Sequence, residues 1–548
     1  MKLIADLHIH SRFSMATSRD LDFIALYKSA LEKGIGLVGT GDFTHPGWMA
    51  EIEAQLEPAE DGLFRLKPEL EKKAMLAVPG ACIRNVRFVL QVEISNIYKK
   101  NERTRKNHNL VYVPTIDAAK KISTALEAIG NIRSDGRPIL GLDARDLLEI
   151  TLESDPLSFL IPAHIWTPWF SMLGSKSGFD SLEECFEDLA PHIFAVETGL
   201  SSDPAMNWRL SALDHLTLVS NSDAHSPGKL GREANLLDIE LGFEPLRDAL
   251  RDKRGYLGTL EFYPDEGKYH LDGHRKCGVR LTPEETRAHG GNCPVCGKPV
   301  TVGVMSRIAE LADRDAGYTP ESAFEYTSIV PFNEVIAETL QVSPGTQRVT
   351  NLVQHLRSEL GPELFILRDA PLEEIEKVSN GAVKEAIRRV RAGELVIDGG
   401  YDGAFGTIRI FEPGELSKLS GQIGLLGFAP PAPGKRRTVK ERKREAEEKS
   451  ARRADSGGKT GVNTDLLSLL DSSKKQSRQR VLEQVLDDPL FGLDEQQRAA
   501  ARELNGPLLV VAGPGTGKTR TLVARIAHQI KTGHVTPRQV LAISFTRQ

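Results

Sequence analysis

Along the first 265 residues, short apolar runs alternate with stretches of helical periodicity, the pattern of a chain that lays down strands and helices in turn. Seven runs are predicted as strands: Leu3–Ala5, Gly36–Thr40, Phe88–Val92, Leu110–Val113, Leu160–Ala163, Ile193–Val196 and Leu216–Ser220. From Val304 to Glu415 the pattern is mainly helical, ending in Ala382–Arg391, and Gly393–Ile410 reads as a Gly-rich β-hairpin region. Residues 493–548 change character again, with a helix, an apolar run at Leu508–Val511 and a Gly-rich turn.

Most of the seven runs hand over to a residue able to ligate a metal: Asp6, His8 and His10; Asp42 and His45; Glu93; His164; Glu197; Asp223 and His225. The fourth run is instead preceded by His108. In parallel barrels the loops at the carboxyl ends of the strands converge on one mouth, where the chemistry sits. Any one of these residues could cap a helix or satisfy a core polar group. So many imidazoles and carboxylates at one mouth without metal would leave mutually repelling, poorly solvated groups. The set mixes N and O without thiolate, which suits Zn, Mn or Fe and leaves positions open for water and phosphate. Neighbouring ions of this kind activate water and neutralise phosphate oxygens, so phosphodiester or phosphomonoester hydrolysis is the expected reaction class.

Asp6-Leu7-His8-Ile9-His10-Ser11, Glu93, His108, His164 and Asn221-Ser222-Asp223-Ala224-His225 resemble the successive motifs of the polymerase-and-histidinol-phosphatase (PHP) superfamily. The resemblance implies an α/β fold with a distorted seven-stranded (β/α) barrel and up to three metals. It implies that His8, His10, Glu93 and Asp223 hold one ion and serve in catalysis, that Glu93, His108 and His164 hold its neighbour, and that Glu93 bridges. Many members place Asp-His after the second strand, where this chain has Asp42-Phe43. His45, with Asp42 and His225, is the substitute for a third site. Glu197 is either a ligand or a partner that orients a ligating His.

After the barrel, His274-Arg275-Lys276-Cys277 and Cys293-Pro294-Val295-Cys296-Gly297 have zinc-ribbon spacing, so His274, Cys277, Cys293 and Cys296 are expected to bind a structural Zn2+, with His270 as the alternative to His274. Barrel, ribbon and helical module in this order resemble the endonuclease Q family. The likeness extends to Gly39-Thr40-Gly41-Asp42, to Tyr269-His270-Leu271-Asp272-Gly273-His274-Arg275-Lys276-Cys277-Gly278 and to Val396-Ile397-Asp398-Gly399-Gly400-Tyr401-Asp402-Gly403. It implies metal-dependent incision of DNA on the 5′ side of a deaminated base (uracil, hypoxanthine, xanthine) or of an abasic site. Reading such a base requires lifting it from the stack. Trp166, Trp169 and Phe170, in the loop that follows His164, are the expected stacking surfaces.

Ala512-Gly513-Pro514-Gly515-Thr516-Gly517-Lys518-Thr519 reads as a phosphate-binding loop between strand and helix. There Gly513, Gly515 and Gly517 let backbone N–H groups cradle phosphates, Lys518 reaches them and Thr519 meets Mg2+. The segment resembles the start of a UvrD/Rep superfamily-one helicase, which implies ATP binding with Gln497 at the adenine-reading position. No Walker B pair or second motor domain follows within the chain, so it reads as a truncated start.

The chain of 548 residues is too long for one core. The expected organisation is a PHP phosphoesterase domain at 1–265, a zinc ribbon at 266–303, a mainly helical module at 304–415, a basic linker at 416–485 and the helicase start at 486–548. Hydrophobic residues make up 40% and charged residues 26%, and no apolar run approaches the roughly 20 residues of a membrane span, so no membrane partner is expected. With five cysteines, three of them clustered, and no apolar leader, a cytoplasmic location is expected. The net charge of −5 conceals Lys435 to Lys459, with eleven Lys or Arg against five Asp or Glu, either a solvated tether or a nucleic-acid-binding arm. Zn2+ is expected in the ribbon and at the catalytic centre, with Mg2+ or Mn2+ as alternatives at the latter. Damaged DNA is the expected partner, together with a helicase or other repair proteins. Two other readings remain: a phosphatase acting on a small phosphoester, and a non-cleaving DNA-binding module of a helicase.

Overall fold

The computed structural model describes residues 2–416 and, towards the C terminus, residues 490, 493, 495–503, 518–532 and 534–535. The chain divides into two compact units, Met1–Pro430 and Pro431–Gln548.

In the first unit the strands are β1 (Lys2–Asp6), β2 (Leu37–Gly39), β3 (Leu56–Pro58), β4 (Phe64–Leu66), β5 (Arg87–Lys100), β6 (Arg103–Val113), β7 (Ile139–Leu140), β8 (Phe159–Pro162), β9 (Ala195–Glu197), β10 (Thr217–Val219), β11 (Ala234–Asp238), β12 (Tyr256–Glu261), β13 (Asp272–His274), β14 (Val279–Leu281), β15 (Glu325–Ser328), β16 (Val396–Asp398) and β17 (Thr407–Arg409). The main sheet runs β15-β12-β11-β1-β2-β5-β4-β3, with β6 and β7 also paired to β5, and β8 to β6. It is mixed: β1 is parallel to β2 and antiparallel to β11, and β5, β6 and β8 alternate in direction.

The expected α/β fold is present, but in place of a seven-stranded barrel of parallel strands the described residues form this mixed sheet, which does not close. Among the described residues β9 and β10 form a separate parallel pair, joined to the main sheet by no ladder. The seams are carried by other groups. The Asn235 side chain takes the place of a backbone partner, donating from Nδ2 to Ser220 O at 2.9 Å and accepting from Ser220 N at 3.1 Å. On the far side of the pair, Ile165 N donates to Glu197 O at 3.0 Å. Side-chain amides can satisfy the buried backbone there without a strand register.

Helices cover the sheet where the sequence supplies caps. Phe23–Lys33 starts on Asp22, which accepts from Ala25 N, and stops at Gly34 with φ +91°. Ile116–Ile129 starts on Thr115 in the same way. The β13–β14 hairpin is followed by helix Pro283–Ala288, entered through a capping box of Thr282 and Glu285. Helices Phe332–Leu340, Gln347–Leu360 and Gly381–Ala392 bury Val335, Ile336, Val353, Leu356, Val383 and Ile387 in a core continuous with that of the sheet.

In the second unit, helices Glu495–Arg502 and Lys518–Lys531 share a small cluster of Leu490, Leu493, Ala501 and Ala524. Gly513, Gly515 and Gly517, the side chains of Lys518 and Thr519, and most of the basic linker lie outside the described residues. Among the described residues, no helix is long and apolar enough to cross a membrane.

Candidate metal centre

The chain beyond β1 is laid against the segment after β10: Ile9 bridges Ala224, and His10 N donates to Ala224 O at 3.1 Å. Asp6 ties the two together by accepting from Ser222 N at 3.1 Å and Gly231 N at 2.7 Å, and burial pushes its carboxyl up to about 6. His8, His10 and Asp223 are thereby carried to one place. Glu93 and His108 arrive from β5 and β6, two strands of one hairpin in which Ser95 faces His108 and Glu93 faces Leu110.

Two sets of ligand atoms result. One atom each from His8, His10, Glu93 and Asp223 lie within 4.8 Å of one another, as do those from Glu93, His108 and His164. Glu93, fully buried, belongs to both. Its Oε2 lies 3.1 Å from His10 Nε2 and 3.7 Å from His8 Nε2, and its Oε1 lies 2.6 Å from His108 Nδ1 and 3.1 Å from His164 Nε2.

Other carboxylates hold the rings from behind. Glu197 Oε1 lies 3.0 Å from His8 Nδ1, and the same carboxylate accepts from His164 N at 2.9 Å and Asn221 Nδ2 at 2.9 Å. Asp42 lies 3.1 Å from His10 Nδ1 and accepts from Ser11 N at 2.6 Å and Ser14 Oγ at 2.8 Å. With Nδ1 so engaged, Nε2 of each ring is the atom turned to the cluster. Asp42, His164 and Asp223 have φ of +45°, +31° and +46°. Strained non-glycine backbone of this kind collects at functional sites, where the surrounding structure enforces it.

His8 Nε2, His10 Nε2 and Asp223 Oδ1 are buried and make no hydrogen bond. Buried polar atoms are rarely left so, and converging nitrogen and carboxylate lone pairs fit a divalent cation. The charges agree. Burial opposes ionisation of Glu93 and Asp223, yet His108 and Arg137 beside the first, and His10 and His8 beside the second, hold both carboxylates below their usual range. Burial likewise disfavours protonated His8 and His10, but neighbouring carboxylates outweigh it and raise both. Protons there balance negative charge that a cation would otherwise balance. Burial draws His108 down to about 4, leaving it the neutral imidazole that ligation needs.

Asp42, His45 and His225 are not brought together as a ligand group among the described residues. His45 caps helix Pro46–Gln55, its Nδ1 accepting from Gly47 N and its Nε2 lying 3.0 Å from Arg133 O. His225 stacks edge-on against His10, 4.6 Å between centroids. Trp166, expected at the DNA surface, is wholly buried and donates from Nε1 to Asn207 Oδ1 at 2.7 Å. Its indole N–H found a core partner, which a sequence does not reveal. Trp169 is 41% exposed. Phe170 is half-buried, with its ring 5.0 Å from that of His108. Thr167, Pro168, Trp169, Tyr269, His270 and Val304 contribute to the lining of a cavity of about 190 Å³.

Arg137 was not anticipated. Its Nη1 donates to Glu93 Oε2 at 3.1 Å. The loop before it is pinned by Asp135, which accepts from Met15 N at 3.1 Å, and passes so close that a Cβ at Gly136 would stand 2.3 Å from Asp42 Oδ2. In sequence Ser134-Asp135-Gly136-Arg137 is an ordinary turn.

In the ribbon, His274, Cys277, Cys293 and Cys296 form a third group within 4.8 Å. His270 lies outside it, 3.4 Å from Asp265. Although burial raises it, the Cys293 thiol is drawn down to about 7 by the backbone N–H groups of Cys296 and Val295.

Fold and site together define a metal-dependent nuclease or phosphoesterase. Over 76% of its length the chain superposes on the lesion-specific endonuclease PfuEndoQ from Pyrococcus furiosus, 32% identical, with TM-score 0.66 and 97% of that chain covered. It superposes comparably on endonuclease Q in complex with a 27-mer duplex carrying an abasic lesion at the active site, 32% identical, with TM-score 0.64 over 76% of this chain and 98% of that one. The chain belongs to the endonuclease Q family. Residues 331–394 match the family model of the MJ0043 C-terminal domain, and residues 493–548 that of the UvrD/REP helicase N-terminal domain. Protein MJ0043 of Methanocaldococcus jannaschii is 33% identical over 268 residues, 47% of this chain, and the match spans only 33% of MJ0043.

Proposed function

We propose that the protein is a DNA-repair endonuclease that hydrolyses a phosphodiester on the 5′ side of a deaminated base (uracil, hypoxanthine or xanthine) or of an abasic site, using more than one metal ion. The observation that carries this reading is the shared carboxylate: Glu93 belongs to two ligand groups, in the first of which His8 Nε2, His10 Nε2 and Asp223 Oδ1 are buried without a hydrogen bond, in a chain that superposes on endonuclease Q. His8, His10, Glu93 and Asp223 hold one divalent ion, and Glu93, His108 and His164 its neighbour. Such ions supply Lewis acidity toward phosphate oxygens.

The chain's own residues do the rest. Glu197 and Asp42 fix the rings of His8 and His10, so that the ligands are preorganised. Arg137 places a guanidinium, only partly exposed, beside Glu93, where it can pair with a phosphate oxygen. The cavity beside Trp169, on the loop that carries His164, receives a base lifted from the stack. The ribbon holds a structural Zn2+, and the C-terminal segment binds ATP with Mg2+ through Gln497 and the phosphate-binding loop. Residues 1–265, 266–303, 304–415, 416–485 and 486–548 are the functional divisions.

The test is incision of DNA duplexes bearing single uracil, hypoxanthine, xanthine or abasic positions, with Zn2+, Mn2+ or Mg2+. Cleavage immediately 5′ of the lesion is expected. Hydrolysis of small phosphoesters without incision would replace this reading with a phosphatase, and binding without cleavage would replace it with a recognition module.

A further inference from the structure

The hairpin of β16 and β17 carries at its tip an aromatic side chain that the fold leaves outside: Phe405 is 71% exposed. The tip is nonetheless fixed. Gly400 N donates to Asp265 O at 2.8 Å, Gly403 N to Lys268 O at 2.9 Å and Gly406 N to Glu266 O at 3.1 Å. The approach leaves no room for side chains, since a Cβ at Gly400 would stand 2.3 Å from Gly267 O and one at Gly406 2.2 Å from Asp265 O. The hairpin's acids are engaged by its support: Asp402 accepts from Arg275 N and from Thr301 Oγ1, each at 2.6 Å, and Asp398 pairs with Arg280.

What this face presents is therefore a phenyl ring and an ammonium group. Lys268 Nζ sits 4.5 Å from the centroid of Phe405, a cation–π contact. Lys268 also lines the cavity that Trp169 and Tyr269 share, their rings 5.5 Å apart and inclined at 72°. Phe405 is thus joined through one lysine to the cavity and to the loop of His164. A rigid aromatic with a cation at its edge matches nucleic acid, which offers flat base faces and phosphates within one nucleotide step.

We propose that Phe405 is a wedge that enters the base stack at the lesion, while Lys268 pairs with the flanking phosphate and the cavity takes the extruded nucleotide. The inference rests on the endonuclease reading and adds to it a residue that opens the duplex. Inserting an apolar side chain between base steps replaces the stacking lost when a base leaves.

The experiment uses the full chain, unmodified and as Phe405→Ala, Phe405→Trp and Lys268→Gln. Single-turnover incision is measured on uracil in a fully paired duplex and on uracil in an unpaired bubble, and the fluorescence of 2-aminopurine stacked beside the uracil is followed on binding. Phe405→Ala is expected to lose roughly tenfold or more on the paired duplex, the scale of one base–aromatic stack. It should act nearly normally on the bubble and no longer brighten 2-aminopurine. Phe405→Trp should retain both activities, and Lys268→Gln should weaken binding to either DNA. Equal incision of paired DNA by Phe405→Ala, or an equal loss on both DNAs with brightening retained, overturns the wedge and leaves the ring as a contact for a protein. Should the unmodified protein bind damaged duplex without cutting it, the endonuclease reading fails while the 2-aminopurine signal still decides the wedge. Absence of DNA binding overturns both.

Discussion

The carboxylate of Glu197 meets Nδ1 of His8 with both oxygens, at 3.0 and 3.1 Å, and both residues are buried. This fixes which nitrogen of His8 faces Glu93 and Asp223. It predicts that Glu197→Gln, which keeps the shape but removes the charge, lowers metal occupancy and slows incision by about 10- to 100-fold, the usual effect of losing a partner behind a ligating histidine. Metal content by mass spectrometry, measured with single-turnover incision, checks it. Unchanged values for both would make Glu197 a packing residue only.

The ribbon's four ligands predict a local fold held by metal. Cys293 is buried with Leu281 and Val300 in a small cluster of its own, too little apolar surface to hold the segment without help. Cys293→Ser should abolish zinc binding there, raise hydrogen exchange across residues 270–305 and weaken DNA binding, with the main sheet still folded. Zinc content unaffected by the substitution would count against the assignment.

A buried carboxyl pair outside the two ligand groups predicts a pH dependence of stability. Glu261 is pushed up to about 8 by burial, and burial with the nearby Glu261 charge raises Glu233 well above its usual range. A carboxyl whose folded value exceeds its ordinary 4.5 binds more protons folded than unfolded between the two. Its contribution is therefore fully present at acid pH and is lost as pH rises from about 4.5 to about 8. Glu261→Gln keeps a group able to bond Thr198 and Ser220 and should flatten this decline, by up to about 1.4 kcal/mol per pH unit. Thermal unfolding of both proteins at pH 5, 6, 7 and 8 measures it. Parallel curves would show that Glu261 is not the group responsible.

How far the sequence could be read depended on what each residue type was asked to do. The seven apolar runs are all strands, because their core faces leave a pattern. The outer half of the β5–β6 hairpin left none: Ser95–Lys100 and Arg103–Asn107 are mostly polar, pair chiefly with each other and turn through Asn101 and Glu102 at positive φ. Glu93 and His108 therefore lie within strands that continue beyond them, not at strand ends. The two groups now seen close together were expected from the resemblance to the PHP superfamily, because Glu93, His108 and His164 stand alone in sequence and only His8-x-His10 and Asp223-x-His225 form local motifs. Arg137 and the caged carboxylate of Asp42 were not, since their roles come from a loop folded back onto the centre. That β9 and β10 stand apart from the main sheet was not legible, because the Asn235 side chain on one side and a single backbone bond from Ile165 to Glu197 on the other join the pair to its neighbours, and no periodicity encodes that.

The separate compactness of Met1–Pro430 predicts that its chemistry does not need the C-terminal unit. Every member of both ligand groups lies before residue 226. A fragment ending near residue 420 should fold and incise damaged duplex at close to the rate of the full chain. Loss of all incision by a soluble, folded fragment would show that the basic segment or the helicase-like portion takes part in cutting.

The shared position of Glu93 puts most at stake. Glu93→Gln retains size and hydrogen bonding to Arg137 but removes the negative charge set between His10, His108 and His164. Without it two cations have no common carboxylate, so metal stoichiometry should fall. Incision should drop by several orders of magnitude, since activation of water and neutralisation of phosphate are lost together. DNA affinity should change far less, because contacts from Lys and Arg to phosphates dominate it. His8→Ala and Asp223→Asn should empty only the group they belong to, whereas His164→Ala should spare that group and deplete its neighbour. The measurement pairs metal stoichiometry with single-turnover incision and filter-binding affinity on one damaged duplex, for each variant beside the unmodified protein. A Glu93→Gln protein that cuts at full rate with all its metal retained would refute the assignment of this cluster as the catalytic centre.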